Sequence, residues 1–129
     1  MDKIILQNAL NSFKGKKVFI TGHTGFKGSW LSYILNKVGA EVMGYALDPI
    51  DEPSHFNMLN LSSKIHHVVG DVRDANKLDD AMHKFKPEFV FHLAAQALVK
   101  KSYDDPVNTF DTNIMGSVNL LDSVRRCSS

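Results

Sequence analysis

The sequence predicts an α/β protein: a doubly wound parallel sheet, partial at about four strands, with helices on both faces. Three observations predict it. Short apolar runs of strand length alternate four times with segments of helical spacing. A turn with three glycines, Thr21-Gly22-His23-Thr24-Gly25-Phe26-Lys27-Gly28, lies where the first run meets the first such segment. The composition, 43% hydrophobic and 22% charged, is that of a folded domain and excludes a disordered chain.

Each element has its own warrant. Ile4, Ile5, Leu6, Ala9, Leu10 and Phe13 have helical spacing and are expected to cover an edge of the core. Residues 17–21 form a compact apolar run ending at a glycine, a buried strand. Residues 26–38 follow as a helix with Lys27, Leu31, Ile34, Leu35 and Val38 near one face, closed by Gly39. Val42 to Leu47 is a second strand. Residues 48–53 carry two prolines and break regular structure, before a short helix from Phe56 to Leu61. Ile65 to Val69 is a third strand, stopped by Gly70-Asp71. Asp74 caps a helix bearing Leu78, Met82 and Phe85. Pro87 introduces a fourth strand, Phe89 to Leu93, expected to be buried on both faces. After Pro106, Val107, Phe110, Ile114, Val118 and Leu121 recur at steps of three and four, one long helix.

Bulk properties narrow the class. The 129 residues suit one domain, 1–129, with no linker or repeat. Fifteen Lys and Arg against fourteen Asp and Glu give a net charge of +1, no electrostatic case for nucleic acid or an anionic membrane as partner. No apolar run reaches the roughly 18 residues of a membrane span, and the start lacks the features of a secretory signal. A single cysteine, Cys127, cannot form an internal disulfide, so a cytoplasmic setting is expected.

The glycine turn carries the functional reading. The first glycine, Gly22, permits a tight turn. The second, Gly25, lets backbone approach a pyrophosphate, and the third, Gly28, lets the helix pack closely. The unpaired N–H groups and positive dipole end of that helix then meet phosphate charge. Asp48, about twenty residues beyond Gly28, stands where an acidic side chain takes both hydroxyls of the adenosine ribose; a turn aspartate before proline is the plainer alternative. Between Glu41 and Ser63 there is no Lys or Arg, while Asp48, Asp51 and Glu52 are acidic. A 2′-phosphate would find no guanidinium there, so NAD is expected over NADP. Asp71 can accept from the adenine amino group with Val72 on the ring, although Asp71 and Asp74 equally suit the start of a helix. Leu93, Ala94, Ala95 and Gln96 end the fourth strand with small residues, which lets a dinucleotide lie close where strand order reverses. His23 is counted with the loop, beside phosphate or towards the nicotinamide. Together these residues describe a Rossmann-like NAD site.

The stretch Ile20 to Leu31 resembles the cofactor loop of the extended short-chain dehydrogenase/reductases, the NAD-dependent epimerase/dehydratase family. Phe26-Lys27-Gly28-Ser29-Trp30 is specifically similar to its CDP-glucose 4,6-dehydratase branch. Gly44 to Pro49, Gly70 to Asp74, His92 to Gln96, Ser102-Tyr103 with Pro106, and Thr112 to Leu121 continue the resemblance, which covers the chain from about Phe13 onward. It implies a lyase reaction on a sugar nucleotide. Hydride passes from C4 of glucose to NAD, water leaves across C5 and C6, and hydride returns to C6, giving CDP-4-keto-6-deoxyglucose for dideoxysugar and polysaccharide synthesis. It also implies a Tyr-x-x-x-Lys pair beyond a fifth strand, and a homodimer formed through helices that include residues 107–126.

No catalytic residue is expected within 1–129, which reads as the N-terminal portion of such an enzyme. The one Tyr-x-x-x-Lys match, Tyr33 to Lys37, points away from the buried stripe of its helix, about 100° per residue being the rule. Tyr103 lacks the lysine, and either lines the entrance to the nicotinamide end or is a loop tyrosine. No metal site is expected: His66 and His67 are adjacent on a strand and face opposite ways, and no His-x-x-x-His pattern occurs. Lys100 and Lys101 either attract phosphate or are solvated. Asn113 resembles a position that brace the site from the last helix, against the alternative of a surface amide. Another sugar-nucleotide epimerase or dehydratase, or a non-catalytic NAD(H)-sensing module, remains the competing reading.

Overall fold

Strands β1 (Lys17–Thr21), β2 (Glu41–Ala46), β3 (His66–Val69) and β4 (Phe89–His92) lie parallel in the order β3-β2-β1-β4. The computed structural model describes residues 2–50 and 52–127, so Met1, Asp51, Ser128 and Ser129 lie outside the described residues. The chain steps from β1 outward to β2 and β3, then crosses back to place β4 on the other side of β1. Val18 is opposite Val42 on one side and Phe89 on the other. That reversal beside β1 opens a crevice at the carboxyl ends of the strands.

The alternation within β1 supplies both halves of the core. Phe19 points to one face, where it joins Tyr45, Leu78, Met82, Phe85 and Leu120. Val18 and Ile20 point to the other, with Leu35, Ala40 and Val42. Full burial of such side chains stabilises the fold by about 1.5–3 kcal/mol each. The first face is covered by α4 (Ala75–Phe85) and α7 (Gly116–Cys127), the second by α2 (Phe26–Lys37). Asp74 does cap α4, accepting from the Lys77 N–H at 3.1 Å.

Several expectations are corrected. The helix α1 (Lys3–Asn11) forms but buries none of its residues, so it does not cover the core. Only Phe13, beyond its end, packs inward, its ring 4.9 Å from Phe89. In α2 the fully buried positions are Gly28, Ser29, Ser32 and Leu35, while Lys27 and Ile34 are exposed. Small residues let this helix sit against the sheet, which turns the apolar stripe partly outward. β4 is not buried on both faces: Phe89 is exposed, and Val90 and Phe91 are half-buried.

The short helix is α3 (His55–Met58), followed by a 3₁₀ turn at Leu61–Ser63. A helix not foreseen, α5 (Val99–Asp104), precedes α6 (Pro106–Phe110). A π-helical turn, Asp111–Met115, then joins α6 to α7, so the expected long helix carries one wide turn. Its apolar stripe faces outward: Val107 is 77% exposed and Phe110 62%, with Ile114, Val118 and Leu121 also exposed. What α7 buries instead is Gly116, Leu120 and Ser123.

Candidate functional site

The glycine loop begins where Thr21, wholly buried at the end of β1, hands the chain to Gly22. Gly22 has φ +79°, a conformation that strains any other residue, and its N–H donates to the Tyr45 carbonyl at 3.0 Å. A Cβ there would also stand 2.7 Å from the Ala94 nitrogen. On Gly28 a Cβ would overlap the Gly22 carbonyl oxygen, so this glycine seats α2 on the loop itself. Gly25 differs from both. Its backbone is extended (φ −77°, ψ 172°), and an added Cβ would meet only the Gly22 oxygen at 3.4 Å. The fold does not ask for glycine at position 25.

A cleft of about 640 Å³ opens in front of this loop, at the carboxyl ends of the strands. Gly22, Thr24, Gly25 and Phe26 form its floor beside α2. Asp48 lines it from the end of β2, Asp71 and Val72 from the end of β3, and Leu93, Ala94, Ala95 and Gln96 from the end of β4. Thr24 ties two walls together, its hydroxyl donating to the Leu47 carbonyl at 2.8 Å. Of the residues expected here, His23, Lys27 and Gly28 do not line the cleft.

His23 is a correction in direction. Its side chain is 0% exposed and turns under the loop, with Nε2 2.7 Å from His67 Nδ1 and Phe56 edge-on at 5.3 Å. Gly44 makes the room, since a Cβ there would overlap the imidazole. Burial, with a smaller contribution from the charge of His67, pushes His23 down to about 3, so the ring is neutral. His66, on the opposite side of β3, pairs with Glu41 at 3.1 Å. Among the described residues no His, Cys, Asp or Glu cluster is arranged to hold a metal ion.

The residues expected to meet adenine, Asp71 and Val72, are engaged with the protein itself. Arg73 donates to both oxygens of Asp71, its Nη2 to Oδ2 at 2.7 Å, and this hydrogen bonding holds the carboxyl below the usual carboxylate range. Arg73 lines the cleft too, a guanidinium that a count over residues 41–63 does not include. It is committed to Asp71 and lies 3.9 Å from Asp111. Val72 is 4% exposed and packs on Gly116, where a Cβ would come within 2.6 Å of it, so little of its side chain remains for a ring.

Behind the cleft runs a hydrogen-bonded chain. The N–H groups of Leu93 and Ala94 donate to Thr21 Oγ1 at 3.1 and 3.2 Å, and Thr21 Oγ1 lies 2.6 Å from His92 Nδ1. His92 Nε2 lies 3.1 Å from Ser117 Oγ, which donates to the Asn113 carbonyl at 2.7 Å. Burial lowers the pKa of His92. A neutral ring, accepting from Thr21 and donating to Ser117, satisfies every link. Asn113 itself accepts from the Gln96 N–H at 2.8 Å and donates to the Gln96 carbonyl at 3.1 Å, bracing the loop after β4. The π-helical turn carries Asn113; such turns recur at functional sites and leave no mark in apolar spacing.

Two further candidates separate. Lys101 lines the cleft, whereas Lys100 pairs with Asp104 at 2.8 Å. Tyr103 is exposed on α5 outside the cleft lining, and Tyr33 sits on α2 with Lys37 and Lys64 over its ring at 5.5 Å each.

A family model described as GDP-mannose 4,6 dehydratase matches residues 19–129. The chain belongs to this family. Within the dehydratase family and its relatives, a CDP-glucose 4,6-dehydratase of Salmonella typhimurium is 52% identical over 116 residues, 90% of this chain and 32% of that protein. A UDP-glucose 4-epimerase of Mycolicibacterium smegmatis is 38% identical, covering 84% of this chain and 34% of that one. The chain thus spans about a third of the length of the curated relatives it matches. Among solved structures, an epimerase from Methanothermobacter thermautotrophicus superposes with a TM-score of 0.82 at 29% identity, over 95% of this chain and 35% of that one. A UDP-glucose 4-epimerase from Brucella ovis, in complex with NAD, gives 0.73 at 30% identity, over 88% and 33%. The expected Rossmann-like sheet is therefore the fold of this family.

Proposed function

We propose that residues 1–129 are the NAD-holding domain of a sugar-nucleotide 4,6-dehydratase whose substrate is CDP-glucose. One observation carries the cofactor assignment: Gly25 is bare at the cleft floor although neither its backbone nor its packing requires glycine. A ligand lying against the backbone does require it. Around that point Gly22 shapes the turn, Gly28 seats the helix, and the start of α2 offers unpaired N–H groups to a pyrophosphate. Asp48 accepts from the ribose hydroxyls of the adenosine half. Arg73, saturated by Asp71, offers a 2′-phosphate little, which favours NAD over NADP.

NAD, when bound, supplies the hydride acceptor for oxidation at C4 and the donor for return at C6. This chain's own part is to grip and orient. Ala94 and Ala95 leave space beside the glycine loop, and Asn113 fixes Gln96 so that this wall of the cleft holds its shape. We assign no catalytic group to these residues, because Tyr33 lies under two lysines on α2 and outside the cleft lining. The substrate assignment rests on the 52% identical CDP-glucose 4,6-dehydratase.

The outward stripe of Val107, Phe110, Ile114, Val118 and Leu121 is assigned to a second copy of the chain. Pro106, Val107, Phe110, Ile114 and Met115 line a shallow apolar groove of about 440 Å³ on this face. Among the described residues no helix is long and apolar enough to cross a membrane. We place the protein in the cytoplasm, a reading supported by the lone, half-buried Cys127.

Titration calorimetry of the chain with NAD⁺, NADP⁺ and CDP-glucose tests these assignments. NAD⁺ is expected to bind at least about tenfold more tightly than NADP⁺, a difference of ~1.4 kcal/mol. Equal binding of the two, or none of NAD⁺, overturns the cofactor assignment. Multiple turnover of CDP-glucose by the chain alone overturns the assignment of catalysis to residues outside it.

A further inference from the structure

His55 takes no part in the reading above, yet it lines the same cleft as Asp48 and Thr24. It opens α3, the first residue after Ser54, whose side chain caps that helix by accepting from the Asn57 N–H. The imidazole is held on two sides. Trp30 lies against it at 4.5 Å between ring centroids, and Phe26 at 5.5 Å. Its Nδ1 is 2.6 Å from Ser29 Oγ, and Ser29 is fully buried in α2.

Ser29 fixes which nitrogen carries the proton. Its Oγ is within 3.0 Å of the Phe26 carbonyl oxygen, which can only accept. A hydroxyl has one proton. If that proton goes to Phe26, His55 must donate from Nδ1 to Oγ, and both contacts are hydrogen bonds. If it goes to His55 instead, the Phe26 contact becomes a meeting of two acceptors. The arrangement that satisfies both puts the proton on Nδ1 and leaves Nε2 of the neutral ring with a bare lone pair. Among the described residues Nε2 has no hydrogen-bond partner, so an acceptor at the cleft wall is left open.

We propose that His55 Nε2 accepts a hydrogen bond from a hydroxyl of the adenosine ribose and is a specificity-determining residue for an unphosphorylated ribose. The proposal rests on the reading of the cleft as an NAD site. Asp48 and His55 then form a pair of acceptors facing a sugar edge that carries two donors. A 2′-phosphate replaces one donor with charged acceptor oxygens, which a bare lone pair repels and cannot bond. Discrimination comes from an acceptor made rigid by Ser29, Trp30 and Phe26, in addition to the carboxylate of Asp48. The aromatic neighbours matter because a ring free to turn could present another edge.

The test measures NAD⁺ and NADP⁺ affinity at pH 8 for the chain and for His55→Ala, His55→Gln, His55→Lys and Ser29→Ala, with a thermal melt of each. Removal of the acceptor in His55→Ala is expected to weaken NAD⁺ about tenfold while changing NADP⁺ much less. His55→Gln, which restores a carbonyl acceptor, should recover most of the NAD⁺ affinity. His55→Lys should tighten NADP⁺ relative to NAD⁺. Ser29→Ala frees the tautomer, keeps the ring, and should lower the NAD⁺ to NADP⁺ ratio by a smaller factor. An unchanged ratio in both His55→Ala and Ser29→Ala overturns the proposal, as does equal weakening of both cofactors, the mark of a merely structural role. Failure of the unaltered chain to bind NAD⁺ strikes the cofactor reading itself, a result distinct from either.

Discussion

Alanine placed separately at Gly25 and Gly28 should split binding from stability. At Gly28 the new Cβ overlaps the Gly22 carbonyl oxygen and stands 2.7 Å from the Gly22 carbonyl carbon and 2.9 Å from the His23 Cα. All three are backbone atoms, so no side chain can swing aside and the whole loop must shift. Overpacking of this kind costs about 3 kcal/mol, the upper end of its usual range. For a chain of 129 residues that lowers Tm by roughly 10 °C. At Gly25 the nearest atom is 3.4 Å away and φ is −77°, so alanine fits and stability should change by less than about 1 kcal/mol. Gly25 lines the cleft, so the same methyl group is added to the surface that the proposed ligand would meet. Holding a phosphate off the backbone N–H groups forfeits charge-assisted hydrogen bonds worth ~2–3 kcal/mol, or about 30- to 150-fold in affinity. Differential scanning fluorimetry and calorimetric titration with NAD⁺ read the two effects. A Gly25→Ala chain that binds NAD⁺ as tightly as its parent refutes the reasoning, because position 25 would then have no ligand to accommodate.

Three further outcomes are expected. Burial lowers His23 to about 3 from 6.5, so between those values the unfolded chain holds a proton that the folded chain lacks. Stability therefore falls on acidification through this window, by up to about 1.4 kcal/mol per pH unit. Urea unfolding at pH 6.5 and pH 5.0 should show a shallower fall for His23→Leu; equal slopes would remove the buried histidine as its source. Asn113→Ala strips two hydrogen bonds from the Gln96 backbone and should cost about 1–3 kcal/mol locally. Amide exchange at Gln96 should quicken while α4 stays protected, and uniform exchange would count against a local brace. Ile114→Asp and Phe110→Glu should reduce self-association in analytical ultracentrifugation, which a strictly monomeric parent chain would contradict.

The four strands were readable because each is a short apolar run whose end is marked by glycine, histidine or a turn, and the parallel order follows from the helices between them. The glycine loop was readable for the same local reason. What apolar spacing cannot report is which side of a stripe meets the protein. Val107, Phe110, Ile114, Val118 and Leu121 repeat as a core face would, yet α7 buries Gly116 against Val72, Leu120 in the core, and Ser123, whose hydroxyl donates to Asp79 of α4. His23 lies in the loop by sequence, but the direction of its side chain depends on Gly44, a bare position on another strand. Arg73 escaped the cofactor argument because β3 brings it into the cleft from a segment distant in sequence. The π-helical turn that aims Asn113 adds one residue to a turn without altering composition.

The crossing of the chain from β3 back to β4 has a consequence for the order of assembly. β1 meets β2 after a separation of 24 residues, but Thr21 meets His92 only after 71. Closing the longer loop costs more chain entropy, and contacts of high sequence separation form late. The buried hydroxyl of Thr21 cannot gain its partners in residues 92–94 until that closure happens. During synthesis, the strand carrying the glycine loop leaves the ribosome early and then waits for the 71 residues that separate Thr21 from His92. Among the described strands the crevice side of β1 is thus completed after its β2 side, and a bound dinucleotide would hold shut the junction that forms slower.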